Sequence, residues 1–234
     1  MTCWAYYPDF GESGRVPEEF YRHSVDVAEY MFNDLGHVTA SVIRKVAKQL
    51  GVSEDLVHDA VFLTGLLHDL GKTCVCYQEK PWRGFSGHWL LSASAMFNII
   101  TNPKYPAFDK DKPITLTSLF VLSILLHHYA QTDLLGRIDS ISVSKFQVYN
   151  DCAETLRSLV DYGLGRVKSP IGRNILNDLL VDLSDNALSI YPMPEWVRGF
   201  LTSNLFEPSR LASIVIAGLL NEADGTVASR NRRW

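Results

Sequence analysis

Gly65-Leu66-Leu67-His68-Asp69-Leu70-Gly71-Lys72 is an apolar run that closes on an adjacent histidine and aspartate, then a glycine and a lysine. The residues leading into it from Ser53 are apolar on nearly every side: Leu56, Val57, Ala60, Val61, Phe62, Leu63, Leu66 and Leu67. A helix that is apolar all round belongs in a protein interior. An ionised carboxylate at the end of such a helix is costly unless positive charge meets it. A metal ion would meet it, since histidine and aspartate are both good ligands. The partial negative charge of a helix C-terminus also favours a cation there. Gly71 reads as the residue that stops the helix, with Lys72 pointing out of the stop. Alone, the pair has a second reading, a salt-bridged aspartate beside a core histidine, and the remaining histidines decide between the two.

Composition sets the bounds. A chain of 234 residues, 47% hydrophobic and 21% charged, has the balance of a soluble globular protein able to bury a large core. The net charge of −4 gives no basic footprint for coating nucleic acid. It is weaker evidence against a metal nuclease, whose ions bring their own positive charge. The N-terminus lacks the basic-then-apolar order of a signal peptide, so none is read. The longest apolar run, Ile114 to Leu126, is too short to span a bilayer, so no membrane partner is expected. Cys3, Cys74, Cys76 and Cys152 have no metal-site spacing and read as reduced thiols in a cytoplasm.

The chain reads as helix after helix. Residues 1–16 form an irregular arm, and Pro17 opens a first helix from Glu18 to about Leu35. Phe20, His23, Val27 and Met31 share one stripe of it, so His23 holds a core position. A second helix, His37 to Leu50, ends at Gly51, and Ser53-Glu54-Asp55 caps the central one. Thr73 to Gly87 is loop or a short hairpin. His88 to Thr101 is helical, Asn102 to Pro113 is a proline-rich loop, and Ile114 to Tyr129 is a second very apolar helix carrying His127-His128. Ala130–Ser140 is loop. Val143 to Tyr162 and Ile171 to Ile190 carry helical spacing, broken over Gly163–Pro170, and Pro192 and Pro194 bound a short piece. The last helix runs from Pro208 to about Ser229, where Ile216, Leu220 and Asp224 share a stripe, before a basic tail at 230–234. No strand-like alternation and no repeat persists, so the fold class is all-α, one domain over 1–234. No phosphate-binding G-x-x-x-x-G-K-[ST] occurs, which argues against a helicase or P-loop ATPase activity within this chain.

Five histidines fall on inward stripes or at ends of very apolar helices: His23, His68, His88, His127 and His128. With Asp69 and Asp224 they are hard to explain by packing, because burying so many titratable groups without a compensating ion costs several kcal/mol. A metal centre built from facing helices accounts for them. Seven N/O ligands are too many for one ion and suit two ions sharing a carboxylate, with Asp69 the natural bridge. The donor set suits two divalent transition-metal ions (Mn, Co, Ni, Fe or Zn), with Mg less favoured by histidines. His37 and His58 do not fit this pattern.

His23 in Tyr-Arg-His-Ser-Val-Asp-Val-Ala, His68-Asp69-Leu-Gly-Lys72, and Asp224 in Asn-Glu-Ala-Asp-Gly together resemble the HD superfamily of metal phosphohydrolases. Ser86-Gly87-His88-Trp-Leu-Leu-Ser92-Ala, the tandem His127-His128, and Tyr77-Gln78 after the lysine look like the HD nuclease of type I CRISPR systems, in its stand-alone form. One departure is Gly225, where the family often has a basic residue. The resemblance implies a helical bundle of the HD type with a metal centre in its core, acting as a metal-dependent DNase on single-stranded DNA. It implies one ion held by His23, His68, Asp69 and Asp224, and another by Asp69, His88, His127 and His128. Water activated there would attack the phosphodiester in line. Lys72 either neutralises charge on the phosphate or is a surface lysine. The implied partners are single-stranded DNA, a separate CRISPR helicase subunit and an RNA-guided effector complex. Lys80, Arg83 and the C-terminal arginines are candidates for strand contacts. The competing HD-GYP class places a glutamate after its tandem histidine, where this chain has Tyr129. A phosphohydrolase of nucleotides or cyclic nucleotides would use the same centre, and a non-catalytic adaptor would not need it.

Overall fold

The computed structural model describes residues 2–9, 14–101, 115–127, 145–190 and 208–233. Over these the chain is helical, as expected, apart from two short two-stranded antiparallel sheets. The helices are α1 (Phe20–Asn33), α2 (Gly36–Leu50), α3 (Glu54–Leu67), α4 (Val75–Gln78) and α5 (His88–Thr101). They continue with α6 (Ser123–Leu126), α7 (Asn150–Leu164), α8 (Pro170–Asp182) and α9 (Pro208–Asn231). A π-helical segment, Thr117–Leu122, leads directly into α6.

α3 is the central helix. Ser53 caps it by accepting from the Leu56 amide at 3.2 Å, as read from the sequence. Eleven of its residues are buried, Leu56 through Leu67 with few exceptions. Each such Leu, Val or Phe contributes about 1.5–3 kcal/mol of burial. α1 crosses it closely. A β-carbon added at Gly65 would lie 2.9 Å from Met31 Sδ and 3.0 Å from Ala28 Cα, so only glycine allows the approach. α9 packs across α1, α2, the π segment and α6. By length and composition α9 could cross a membrane, yet here Ala212, Ile216, Leu220 and Ala223 are buried in the core. Ser213 on α9 donates to the Ser118 carbonyl at 2.8 Å, fixing α9 against the π segment.

Several expectations are corrected. The arm at 1–16 is not irregular throughout: β1 (Trp4–Tyr6) pairs with β2 (Glu18–Glu19), so α1 begins at Phe20, two residues later than read. The stretch read as helix from Val143 begins instead with β3 (Lys145–Gln147), paired with β4 (Ala187–Ser189), where the last part of the Ile171–Ile190 helix was expected. Strands of two or three residues are too short to leave a period in the sequence. Residues 73–87 are neither loop nor hairpin alone: they hold α4 and a 3₁₀ turn at Pro81–Arg83. Within the basic tail, Arg233 pairs with Arg15 across an antiparallel bridge. The cysteines are not separate thiols. Cys3 and Cys152, with Cα atoms 4.9 Å apart, are joined, and so are Cys74 and Cys76. The Cys3–Cys152 bond joins residues 149 apart in the sequence, which no spacing rule foresees. The loops read at 102–113 and 130–140, the short piece at 192–194 and His128 lie outside the described residues.

Candidate metal centre

Four helix ends and one turn meet at Asp69. α3 stops at Leu67, and His68 and Asp69 follow in a turn that leads into a 3₁₀ segment, Leu70–Thr73. Gly71 does not stop the helix by a left-handed conformation. Its reason is contact: a β-carbon there would lie 2.1 Å from the His88 carbonyl oxygen. The Gly71 amide donates to Ser92 Oγ at 2.8 Å, and that hydroxyl donates to the His88 carbonyl at 3.0 Å. The turn is thus clamped to the first turn of α5, which brings His88 to Asp69. Tyr77 braces the approach to α5 by donating to the Ser86 carbonyl at 2.6 Å. Gln78 donates to the Lys72 and Trp4 carbonyls, both at 2.8 Å, and ties the turn to β1.

The structure brings His23, His68, Asp69, Lys72, His88, His127 and Asp224 together. His23 Nε2 lies 3.3 Å from Asp69 Oδ2 and 3.2 Å from Asp224 Oδ1. His68 Nε2 lies 3.4 Å from the same Asp69 oxygen and 3.9 Å from Asp224 Oδ1. His88 Nε2 faces the other Asp69 oxygen, Oδ1, at 2.9 Å. The His127 ring is edge-on to His68, with centroids 5.4 Å apart, and 6.2 Å from His88. So one oxygen of Asp69 looks toward His23 and His68 and the other toward His88. Donor atoms of His23, His68 and Asp224, and of His68, Asp69 and His127, each gather within 4.8 Å of one another. The apolar stripe of α9 does carry Asp224 inward, but 22% of that side chain stays exposed, so the cluster reaches solvent beside α9. His37 is exposed, and His58 pairs with Asp59 away from the cluster.

The ring orientations are fixed from behind. His68 Nδ1 donates to the Gly65 carbonyl at 2.8 Å and His88 Nδ1 to the Phe85 carbonyl at 2.5 Å. His127 Nδ1 donates to the Ile124 carbonyl, and His23 Nδ1 to Glu18 Oε1 at 3.0 Å. A carbonyl only accepts, so three of these rings carry their proton on Nδ1. When such a ring is neutral, its inward Nε2 presents a lone pair. This is how metal-binding histidines are held. His68 Nε2 is buried without a protein hydrogen bond, which is costly unless a ligand uses it, and His23 Nε2 faces only carboxylate oxygens.

Electrostatics agree with that geometry. Burial alone would raise Asp69, but His68, Lys72, His88 and His23 hold its carboxyl well below the usual range. Burial likewise works against Asp224, and His23 and His68 hold it low. His23 is pushed well above an ordinary histidine, against its burial, by Asp224, Asp69 and Glu18. His68 is lowered, chiefly by burial. Carboxylates that draw positive charge to His23 in this way would be met equally by a divalent cation.

Lys72 does not point out of the stop. It is buried, its ammonium 2.6 Å from Asp69 Oδ2 and 5.6 Å from the Phe85 ring centre, which removes the surface-lysine reading. Reading the sequence missed Glu18, Ser92 as the clamp on Gly71, and Gln78 as an anchor. Only Gln78 and Ser92 stood inside a recognised motif.

A family model described as "Cas3, HD domain" matches residues 8–99. That span holds His23, His68, Asp69, Lys72 and His88, while His127, His128 and Asp224 lie beyond it. No curated protein and no solved structure gives a significant match.

Proposed function

We infer that this chain, whose residues 8–99 match the "Cas3, HD domain" family model, is a metal-dependent hydrolase that acts as a nuclease on single-stranded DNA in CRISPR interference. Residues 1–234 would form one domain, working beside a separate helicase and an RNA-guided effector complex. The observation that carries the reading is the set of histidine rings tied at Nδ1, of which His23, His68 and His88 turn Nε2 toward the two oxygens of Asp69 and His127 joins the donor cluster. His23, His68, Asp69 and Asp224 would hold one ion, and Asp69, His88, His127 and His128 the other.

Divalent ions held there supply the acidity that makes water a nucleophile near neutral pH and the positive charge that offsets a phosphodiester. The chain supplies the rest. Asp69 presents one oxygen to each set of ligands and fixes their spacing. Lys72 holds a cation against Asp69 Oδ2, where it can meet the negative charge that grows on the phosphate. Asp224, partly exposed, marks the side from which the substrate enters. Lys80 and Arg83 are exposed in the turn between Lys72 and His88, and Arg233 is exposed beyond the end of α9. These are placed to meet backbone phosphates.

The test is cleavage of labelled single-stranded DNA, duplex DNA, single-stranded RNA, cyclic dinucleotides and nucleotides by protein stripped of metal and reloaded with Mn, Co, Ni, Fe, Zn or Mg. Metal-dependent loss of single-stranded DNA, abolished together with metal content in Asp69→Ala, is the expected result. Turnover of small nucleotides with DNA untouched would replace the nuclease by a nucleotide phosphohydrolase. Full activity of Asp69→Ala would remove the site altogether.

A further inference from the structure

Glu18 is a carboxylate buried at 3% exposure, beside the cluster but outside its donor set. Both of its oxygens are engaged. Oε1 accepts from His23 Nδ1 at 3.0 Å and from Asn231 Nδ2 at 2.9 Å, and Oε2 accepts from Arg232 Nε at 2.7 Å. Arg232 is itself held, with its guanidinium 4.5 Å from the centre of the Tyr6 ring. Asn231 also reaches Asp26 Oδ2 at 2.9 Å. The other rings of the cluster that the structure describes lean on backbone carbonyls within their own chain segment. His23 alone among them leans on a side chain, and that side chain is held by the opposite end of the protein.

We propose that Glu18 is the positioning residue of the metal centre: it orients His23 and raises its strength as a donor, and Asn231 and Arg232 hold it in place. The proposal rests on the reading of the cluster as a metal centre. Its physical basis is local. Glu18 lies on β2, two residues ahead of the start of α1 at Phe20, and its side chain reaches Nδ1 of His23 in the first turn. That carboxylate takes the place that backbone carbonyls fill behind the other described rings. An imidazole that donates to a carboxylate is a stronger donor at its other nitrogen than one that donates to a carbonyl, and its ring cannot rotate. Asn231 and Arg232, in the stretch that reads as a basic tail, become in this account a working part of the site.

The experiment is Co(II) titration of the metal-stripped full chain, read by the visible absorption of the bound ion, on the parent protein, Glu18→Gln, Glu18→Ala and Arg232→Ala. The expected result is two ions in the parent. One of them is weakened about 10- to 100-fold in Glu18→Ala, with an altered spectrum for that ion and the second ion unchanged. Glu18→Gln keeps an acceptor oxygen for His23 and should fall between the two. Arg232→Ala should weaken the same ion less than Glu18→Ala does. Circular dichroism of each metal-free variant separates loss of fold from loss of the site, and Glu18→Gln serves if Glu18→Ala does not fold. Co(II) affinity and spectrum equal to the parent in both folded Glu18 variants would overturn the proposal. A parent chain that takes up no Co(II) would overturn the metal reading instead.

Discussion

Each histidine of the cluster is a small lever with its fulcrum at Nδ1. What makes it a candidate ligand is the partner behind the ring, and that partner comes from within three residues for His68, His88 and His127. For His68 and His127 those partners lie in the helix that each residue ends, and for His88 the partner lies just ahead of α5. Gly71 is the opposite case. It reads as a helix stop, but its job is to let the His88 carbonyl approach from another helix. Gly71→Ala should therefore push α5 away from Asp69. The expected outcome is loss of one bound ion of two, and of activity, with the helical content kept. Metal content by plasma emission spectrometry checks it, and unchanged two-ion occupancy would show that the contact can relax.

Among the helices, α8 depends most visibly on a single residue from elsewhere. Asp59, buried on α3, accepts from the Lys168 amide at 2.9 Å and the Ser169 amide at 2.7 Å, where α8 starts. Burial works against its ionisation, but His58, Ser169 and Lys168 together hold its carboxyl below the ordinary 3.8. A lowered folded value means that its contribution is complete above the unfolded value and is lost as pH falls through the folded one. Asp59→Ala should cost about 2 kcal/mol at pH 7, the scale of a lost helix cap with donors left buried. Urea midpoints at pH 7 and pH 3 check both the size and the sign: the gap between parent and variant should narrow at pH 3. The long helices themselves were legible, because their apolar stripes repeat over three or more turns. The strands β1 to β4 were not, because two or three residues carry no period, and their pairing partners lie far along the chain.

At the level of the fold as a whole, the two termini are bound into the site's surroundings. Arg15 meets Arg233 in an antiparallel bridge, and Cys3 is joined to Cys152. Closing a loop of that length restricts the unfolded chain, and reducing it should cost about 2–4 kcal/mol. Thermal melting with and without a reductant measures this, using Cys3→Ser to separate the two pairs. A fall in Tm in the parent that vanishes in Cys3→Ser belongs to Cys3–Cys152, and a fall that persists belongs to Cys74–Cys76. No fall in the parent would mean that neither pair contributes.

The helical class, the central position of α3, and the candidate residues His23, His68, Asp69, His88, His127 and Asp224 could all be read from residue types and spacing. Those properties are local: a buried helix shows its burial in its own composition, and a titratable residue on an apolar stripe stands out within one or two turns. Glu18 behind His23, Lys72 turned onto Asp69, the real role of Gly71 and the pairing of the cysteines emerged only from the packed chain. Each joins segments whose approach is decided by how the helices cross, and no window along the sequence contains both sides of such a contact.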